Sequence, residues 1–109
     1  MNAQPRLPHP IDLEKLEKLA EVAVKVGLNL AEGQDLVMTA PIEAQPLTRL
    51  ISRYAYQAGA GVVTTLFNDP QATLERFEHG HDASFDKAAN WLYEGMGQAF
   101  ANGAARLAI

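Results

Sequence analysis

The first apolar pattern of the chain, over residues 13–27, has the three-and-four spacing of an amphipathic helix. Asp12 is a suitable N-cap for this helix, and Gly27 is expected to end it. The segment before it, residues 1–11, contains three prolines and is predicted to be a flexible arm, so the folded domain is expected to span residues 12–109. The predicted apolar face consists of Leu13, Leu16, Leu19, Ala20, Ala23, Val24 and Val26.

Three short apolar runs have the length and composition of β-strands. They lie near residues 35–40, 61–68 and 104–109, and the second is rich in β-branched residues. Runs that are apolar at nearly every position are typical of strands that are covered on both faces, as in parallel sheets. The sequence therefore predicts three buried strands.

Two further helical patterns separate these runs. One begins near Gln45, because Pro46 is tolerated in a first helical turn but not in a helix interior. Its apolar positions are Leu47, Leu50, Ile51, Tyr54 and Ala58. The other pattern is shorter: Asp69 and Pro70 suit the N-cap and first position of a helix that reaches about Phe77.

A last helix is predicted after a loop at residues 78–83, with Ser84 as its cap. Trp91 and Tyr93 are expected on different faces of this helix, one in the core and the other either facing a partner or simply covering the sheet. The predicted buried stripe is Phe85, Ala88, Trp91 or Leu92, Met96, and Ala99 or Phe100.

Alternation of helices with apolar strands defines the fold class. It predicts an α/β protein with a mostly parallel three-stranded sheet and helices on both faces, a Rossmann-like three-layer fragment. The crossover connections should be right-handed. Three strands allow several arrangements of this kind, so the strand order stays open.

Composition narrows the function classes. The chain has 109 residues, enough for one domain with a core, and 48% are hydrophobic against 20% charged, which is typical of a soluble globular protein. Its net charge of −4 argues against nucleic-acid binding. Cysteine is absent, which excludes disulfides, thiolate metal sites and a cysteine nucleophile. Neither a secretory signal nor a membrane span is recognisable.

Ligands of open parallel sheets bind at the carboxyl ends of the strands. Two predicted loops lie there, one with Thr39 and Glu43 and one with Asn68 and Asp69. These residues are candidates for the wall of a pocket, in which Glu43 or Asp69 would contact a substrate amine or a metal. The alternative is structural: Asp69 caps a helix, and Glu43 complements the dipole at a helix start. The structural alternative is favoured for both carboxylates.

Other motifs are weaker. His79-Gly80-His81 lacks the four-residue spacing of a helical zinc pair and has no evident third ligand, so a solvated loop is preferred. The glycines of Gly59–Gly61 precede a strand, whereas a phosphate-binding loop follows one. No catalytic, metal-binding or cofactor-binding residue is assigned within the chain.

Several segments together resemble a known family. KLAEVAVKVGLNLAEGQ, TAPIEA, AYQAGAGVV and WLYEGM are similar to the start of the thermophilic-type metallo-aminopeptidases, the aminopeptidase T and aminopeptidase S family. The resemblance covers about residues 13–109. It implies the N-terminal α/β domain of a longer chain, and the sequence is accordingly expected to be a piece truncated at residue 109.

The resemblance also implies a function. Members of this family are cytoplasmic, dimeric exopeptidases that remove N-terminal residues from peptides with two divalent metal ions, zinc, cobalt or magnesium. Their ligands belong to a later, catalytic domain, so residues 1–109 are expected to be inactive alone and to contribute active-site walls and subunit contacts. Partners implied are a peptide, a second subunit and the catalytic domain of the same chain. The alternative is a stand-alone α/β binding or dimerisation module without catalysis.

Overall fold

The computed structural model describes residues 12–109, and the predicted arm at residues 1–11 lies outside this range. A π-helical turn, Ala23–Leu28, extends the first helix, and 3-10 turns occupy Ile42–Ala44 and Asp82–Asp86. The order of helices and strands is the predicted one. The elements are α1 (Leu13–Val22), β1 (Leu36–Pro41), α2 (Gln45–Gln57), β2 (Val63–Asn68), α3 (Pro70–His79), α4 (Asn90–Ala101) and β3 (Ala105–Ala108).

The three strands form one parallel sheet with the order β2-β1-β3. Leu36, at the start of β1, lies beside Val63 of β2 and Ala105 of β3, so both neighbours are in register from the amino end of β1. This confirms the predicted fold class and supplies the strand order that the sequence left open.

The hydrophobic core lies between β1 and the helices α1 and α2. Leu36 and Met38 are fully buried on this face of the sheet, because alternate residues of a strand point to the same side. Ile51 and Ala55 of α2 pack against them, together with Ala20 of α1 and Val24 of the π-helical turn. Burial of these apolar side chains is the main stabilising contribution that the fold offers.

Helix α4 lies over the second face of β1, with a groove between the helix and the strand. Val37 lines the same groove as Leu92, Met96 and Ala99 of this helix, so α2 and α4 occupy opposite faces of the sheet. The α2 connection carries the chain from β1 to β2, and the α4 connection carries it back past β1 to β3. Two crossovers that run in opposite directions have the same hand when their helices cover opposite faces.

The predicted apolar face of α1 is too wide. Ala20 and Val24 are buried, but the Leu13, Leu19 and Val26 side chains are more than half exposed. The reason is that α1 packs mainly on α2, and this contact covers a narrow stripe. The helix also passes the predicted stop at Gly27 and ends at Leu28, followed by Asn29 in the left-handed conformation.

The predicted start of the last helix is also wrong, because Ser84 lies in the second 3-10 turn and α4 begins at Asn90. Arg76 of α3 donates hydrogen bonds to the carbonyl groups of Ser84 and Lys87, and Phe77 stacks on Phe85 with the ring centroids 5.9 Å apart. These contacts hold the segment against α3 and prevent it from joining α4.

Burial on α4 is lower than predicted. Leu92, Met96, Ala99 and Phe100 are half-buried, whereas Ala88 and Phe85 before the helix are exposed. Trp91 and Tyr93 were expected to divide between core and surface, but both side chains are largely exposed, 76% and 61%.

Helices α2 and α4 end in the same way. Gly59 follows α2 with φ +97°, and Gly103 follows α4 with φ +95°. In each case the next residue donates its N–H to the carbonyl five residues earlier, from Ala60 to Ala55 and from Ala104 to Ala99. This is the Schellman ending, which favours glycine because the left-handed conformation is strained for other residues. Both endings lead directly into a strand beside β1.

Candidate functional site

The carboxyl ends of β1 and β2 lie side by side, as the sequence analysis required for a shared pocket. Pro41 at the end of β1 is the register partner of Asn68 at the end of β2. The 3-10 turn Ile42–Ala44 therefore leaves the same edge of the sheet as Asp69. All four predicted wall residues, Thr39, Glu43, Asn68 and Asp69, belong to this edge.

Thr39 is half-buried in the middle strand. Its neighbours across the sheet are Leu66 on one side and Ala108 on the other. The Thr39 carbonyl accepts a hydrogen bond of 2.9 Å from the N–H of Ile109, which joins the carboxyl ends of β1 and β3. Thr39 thus lies at the centre of the edge, between two possible crevices.

Glu43 projects from the 3-10 turn that connects β1 to α2, and its side chain is exposed. Within residues 12–109 its carboxylate makes neither an ion pair nor a hydrogen bond to protein. The position is close to the start of α2, where a negative charge is favourable. A free, exposed carboxylate is also suited to binding a cation from solvent.

Asp69 has a different role. It is the N-cap of α3, and its carboxylate accepts a hydrogen bond of 3.0 Å from the N–H of Gln71. The capping prediction for Asp69 and Pro70 is therefore confirmed, although α3 extends to His79 rather than Phe77. Asn68 is exposed at the end of β2. Of the two candidate carboxylates, Asp69 already has a backbone partner.

The two histidines do not share a site. His79 ends α3, where its Nε2 atom lies 3.8 Å from the nearest carboxylate oxygens of Glu75 and Glu78. Nδ1 of His81 accepts a hydrogen bond of 3.0 Å from the N–H of Ala83. The predicted loop at residues 78–83 is thus split between the end of α3 and the 3-10 turn.

No group of three or more His, Cys, Asp or Glu side chains in residues 12–109 is arranged to hold a metal ion. The residues that the structure describes therefore do not fit a metal site by themselves. Helices that are long and apolar enough to cross a membrane are likewise not found within the same range.

The opposite edge of the sheet carries polar contacts that the sequence did not predict. The Asp35 carboxylate accepts a hydrogen bond of 2.8 Å from the N–H of Val62. The Gln34 side chain donates to the carbonyl of Gly103 over 3.0 Å. These contacts join segments 27 and 69 residues apart in the sequence. The polar pair Gln34-Asp35, directly before the apolar run of β1, is the local signal for these contacts, but Asp35 was predicted only as the start of a strand.

An apolar groove lies between α4 and the second face of the sheet. Its volume is about 300 Å³, and its floor includes Val37, Thr64 and Leu66. The wall from α4 includes Trp91 and Met96. The groove was not predicted, because the apolar stripe of the last helix was expected to be buried.

Comparison with known proteins identifies the family. The family model described as "Thermophilic metalloprotease (M29)" matches residues 12–109, so the chain belongs to this family. That confirms the resemblance stated from the sequence motifs.

Named relatives support the same assignment. The chain is 51% identical over 96 residues to Aminopeptidase T of Thermus aquaticus, covering 88% of this chain and 24% of that protein. It is 40% identical over 96 residues to Aminopeptidase 2 of Geobacillus stearothermophilus, covering 88% of this chain and 23% of that protein. The solved structure of wild-type AmpT from Thermus thermophilus superposes with a TM-score of 0.84 at 48% identity, over 87% of this chain and 24% of that one. The chain spans about a quarter of the length of these relatives.

Proposed function

We propose that this chain is the amino-terminal part of a metallo-aminopeptidase that removes N-terminal residues from peptides. The observation that carries the proposal is the continuous likeness to aminopeptidase T, with a TM-score of 0.84 at 48% identity over 87% of the chain. We include the TAPIEA loop with Glu43 in the proposed peptide-binding region, because the loop lies at the sheet edge where ligands of such folds bind.

In this proposal the four residues of the sheet edge, Thr39, Glu43, Asn68 and Asp69, form part of a peptide-binding wall. Two divalent metal ions, zinc, cobalt or magnesium, are held by residues outside 1–109 and supply the activated water. The complete protein is a cytoplasmic homodimer, and the domain described here contributes contacts to its own catalytic domain and to the second subunit. Residues 1–109 alone are inactive.

The direct experiment compares two purified proteins, the 109-residue chain and a chain of the relatives' full length. Hydrolysis of leucine amide is measured for each with cobalt or zinc added. We expect hydrolysis by the long chain alone. Hydrolysis by the 109-residue chain would contradict its inactivity, and failure of a folded, metal-loaded long chain to release ammonia would contradict the aminopeptidase proposal.

A second candidate function is a binding or dimerisation module. The observation that favours it is the apolar groove beside α4, with the exposed Trp91 at its wall. Exposed aromatic side chains are enriched at the centres of protein interfaces. Sedimentation of the 109-residue chain tests the dimerisation part of this candidate. Concentration-dependent association that Trp91→Ala reduces supports it, whereas a monomer at all concentrations contradicts it.

A further inference from the structure

Asn102 and Gly103, directly after α4, form a dipeptide whose chemistry the proposed function does not use. Asparagine is a chemically labile residue, and it is most labile before glycine, which places no side chain in the way of ring closure. Of the asparagines in the sequence, only Asn102 precedes a glycine. A Cβ at Gly103 would meet nothing within 4 Å, so residues 12–109 leave room for a ring at this position.

Deamidation of this pair needs no second reactant except water. The backbone nitrogen of Gly103 gives up its proton and attacks Cγ of Asn102, and the side-chain nitrogen leaves with that proton as ammonia. Water then adds to one of the two carbonyl carbons of the succinimide ring, and the bond from that carbon to the ring nitrogen breaks. The product is an aspartate or an isoaspartate, in which the main chain runs through Cγ.

The Schellman ending of α4 opposes this attack. For ring closure the Gly103 N–H must leave its acceptor, and the peptide plane before it must rotate toward the Asn102 side chain. In the structure this N–H donates to the carbonyl of Phe100 over 3.0 Å, and the next N–H, of Ala104, donates to that of Ala99 over 3.0 Å. The attacking nitrogen is therefore held in the ending until the ending opens.

Gln34 fixes the same glycine from a distant segment. Its Nε2 atom donates to the carbonyl of Gly103 over 3.0 Å. Its Oε1 atom accepts the N–H of Ala31 over 2.9 Å, so both ends of the side-chain amide are bound. Local opening of the ending has to break the contact with Gly103 as well, which lowers the population of the open, reactive form.

We propose that Asn102 is a deamidation site that Gln34 keeps slow, and that its conversion to isoaspartate loosens β3 from β1. Isoaspartate adds a carbon atom to the main chain between α4 and β3. The Ala105 N–H donates to the Asp35 carbonyl over 2.8 Å, so the added length must be absorbed where β3 begins. Either product also places a carboxylate at the carboxyl end of a helix, where negative charge is unfavourable. This inference is independent of the proposed aminopeptidase function.

The test follows Asn102 in a chain of the relatives' full length, incubated at neutral pH and analysed by mass spectrometry of its proteolytic peptides. A synthetic peptide of residues 98–106 gives the rate without the fold. We expect the peptide to react fastest, and Gln34→Ala to react about two- to tenfold faster than the wild type, as for loss of one hydrogen bond. Asn29 is also exposed at a helix end but precedes leucine, and it should stay intact.

Two control variants separate a local from a general effect. Gln57→Ala changes an exposed glutamine at the end of α2 and should leave the rate at Asn102 unchanged. Ile51→Val weakens the buried core by an amount similar to the loss of one hydrogen bond, and it should also leave the rate unchanged. Acceleration by Ile51→Val equal to that by Gln34→Ala would assign the reaction to global unfolding and overturn the role of Gln34.

Other results overturn the remaining parts of the inference. An unreactive peptide overturns the site, a wild type as fast as the peptide overturns the protection by the fold, and equal rates in wild type and Gln34→Ala overturn the role of Gln34. For the consequence, hydrogen exchange is measured at the amide of Ala105. It should be faster in the isoaspartate form than in Asn102→Asp, which has the charge without the added carbon, and equal exchange would overturn the loosening of β3.

Discussion

The two faces of the sheet are packed very differently. On the α1/α2 face, Leu36, Met38 and Ile51 are almost completely removed from water. On the α4 face, residues 90–101 include no buried side chain, and a groove of about 300 Å³ separates the helix from the strands. Helices α2 and α4 both carry many apolar residues, yet the first closes a core against the sheet and the second leaves an open groove. The first face holds the domain together, and the second is available to further structure.

The largest expected effect tests this difference with two methionines, one on each face. Met38 is fully buried in β1, and Met96 is half-buried on α4. Met38→Ala removes a core side chain and leaves a cavity, so it should destabilise the chain by about 2–5 kcal/mol. Met96→Ala should cost about 1 kcal/mol or less, because little apolar area returns to water. Urea denaturation measures both, and equal losses would contradict the comparison.

A smaller effect is expected for two glycines. A Cβ at Gly61 would collide with the Asp35 carboxylate and the Gly33 carbonyl, whereas a Cβ at Gly95 of α4 would meet nothing within 4 Å. Gly61→Ala should destabilise by about 1–3 kcal/mol through the forced shift of backbone. Gly95→Ala should stabilise by about 0.5–1 kcal/mol, because alanine is the better helix former. Thermal unfolding of both variants provides the measurement, and the two midpoints should move in opposite directions.

The smallest effect is expected at Trp91, whose side chain is 76% exposed on the open face. Trp91→Ala should change the free energy of unfolding of the isolated chain by no more than about 0.5 kcal/mol. The same substitution in a chain of full relatives' length should cost more if additional structure covers this face. Urea denaturation measures the loss of unfolding free energy in each chain, and the difference between them shows whether the α4 face is covered in the longer one. A large loss in the isolated chain would show that α4 is packed more tightly than the exposure of Trp91 indicates.

Local chemistry predicted much of this fold. Pro46 located the start of α2, Asp69 located the cap of α3, and the apolar runs located all three strands. The errors arose where distant contacts decide the outcome. Ser84 is a good local cap, but Arg76 and Phe77 hold its segment on α3. Leu19 belongs to a helical apolar stripe, yet the contact with α2 does not reach it.

The candidate site shows the same limit. The sequence could place Glu43 and Asp69 at carboxyl ends of strands, since that depends on element boundaries. It could not show that Glu43 has no protein partner among residues 12–109, because this depends on which distant segments approach the loop. The contact from Thr39 to Ile109 that joins β1 to β3 spans 70 residues and leaves no local pattern in the sequence.

Asp35 contacts the beginnings of both outer strands. Its backbone carbonyl accepts the N–H of Ala105, and its carboxylate accepts the N–H of Val62, each over 2.8 Å. Asp35 thus fixes the register of both β2 and β3 relative to β1. The strand register is set at the amino ends of the strands, so residues at the carboxyl ends are not needed to set it. Loops at the carboxyl edge can therefore change in length and sequence without shifting the strands, and a domain built in this way can acquire new ligand preferences while its framework stays constant.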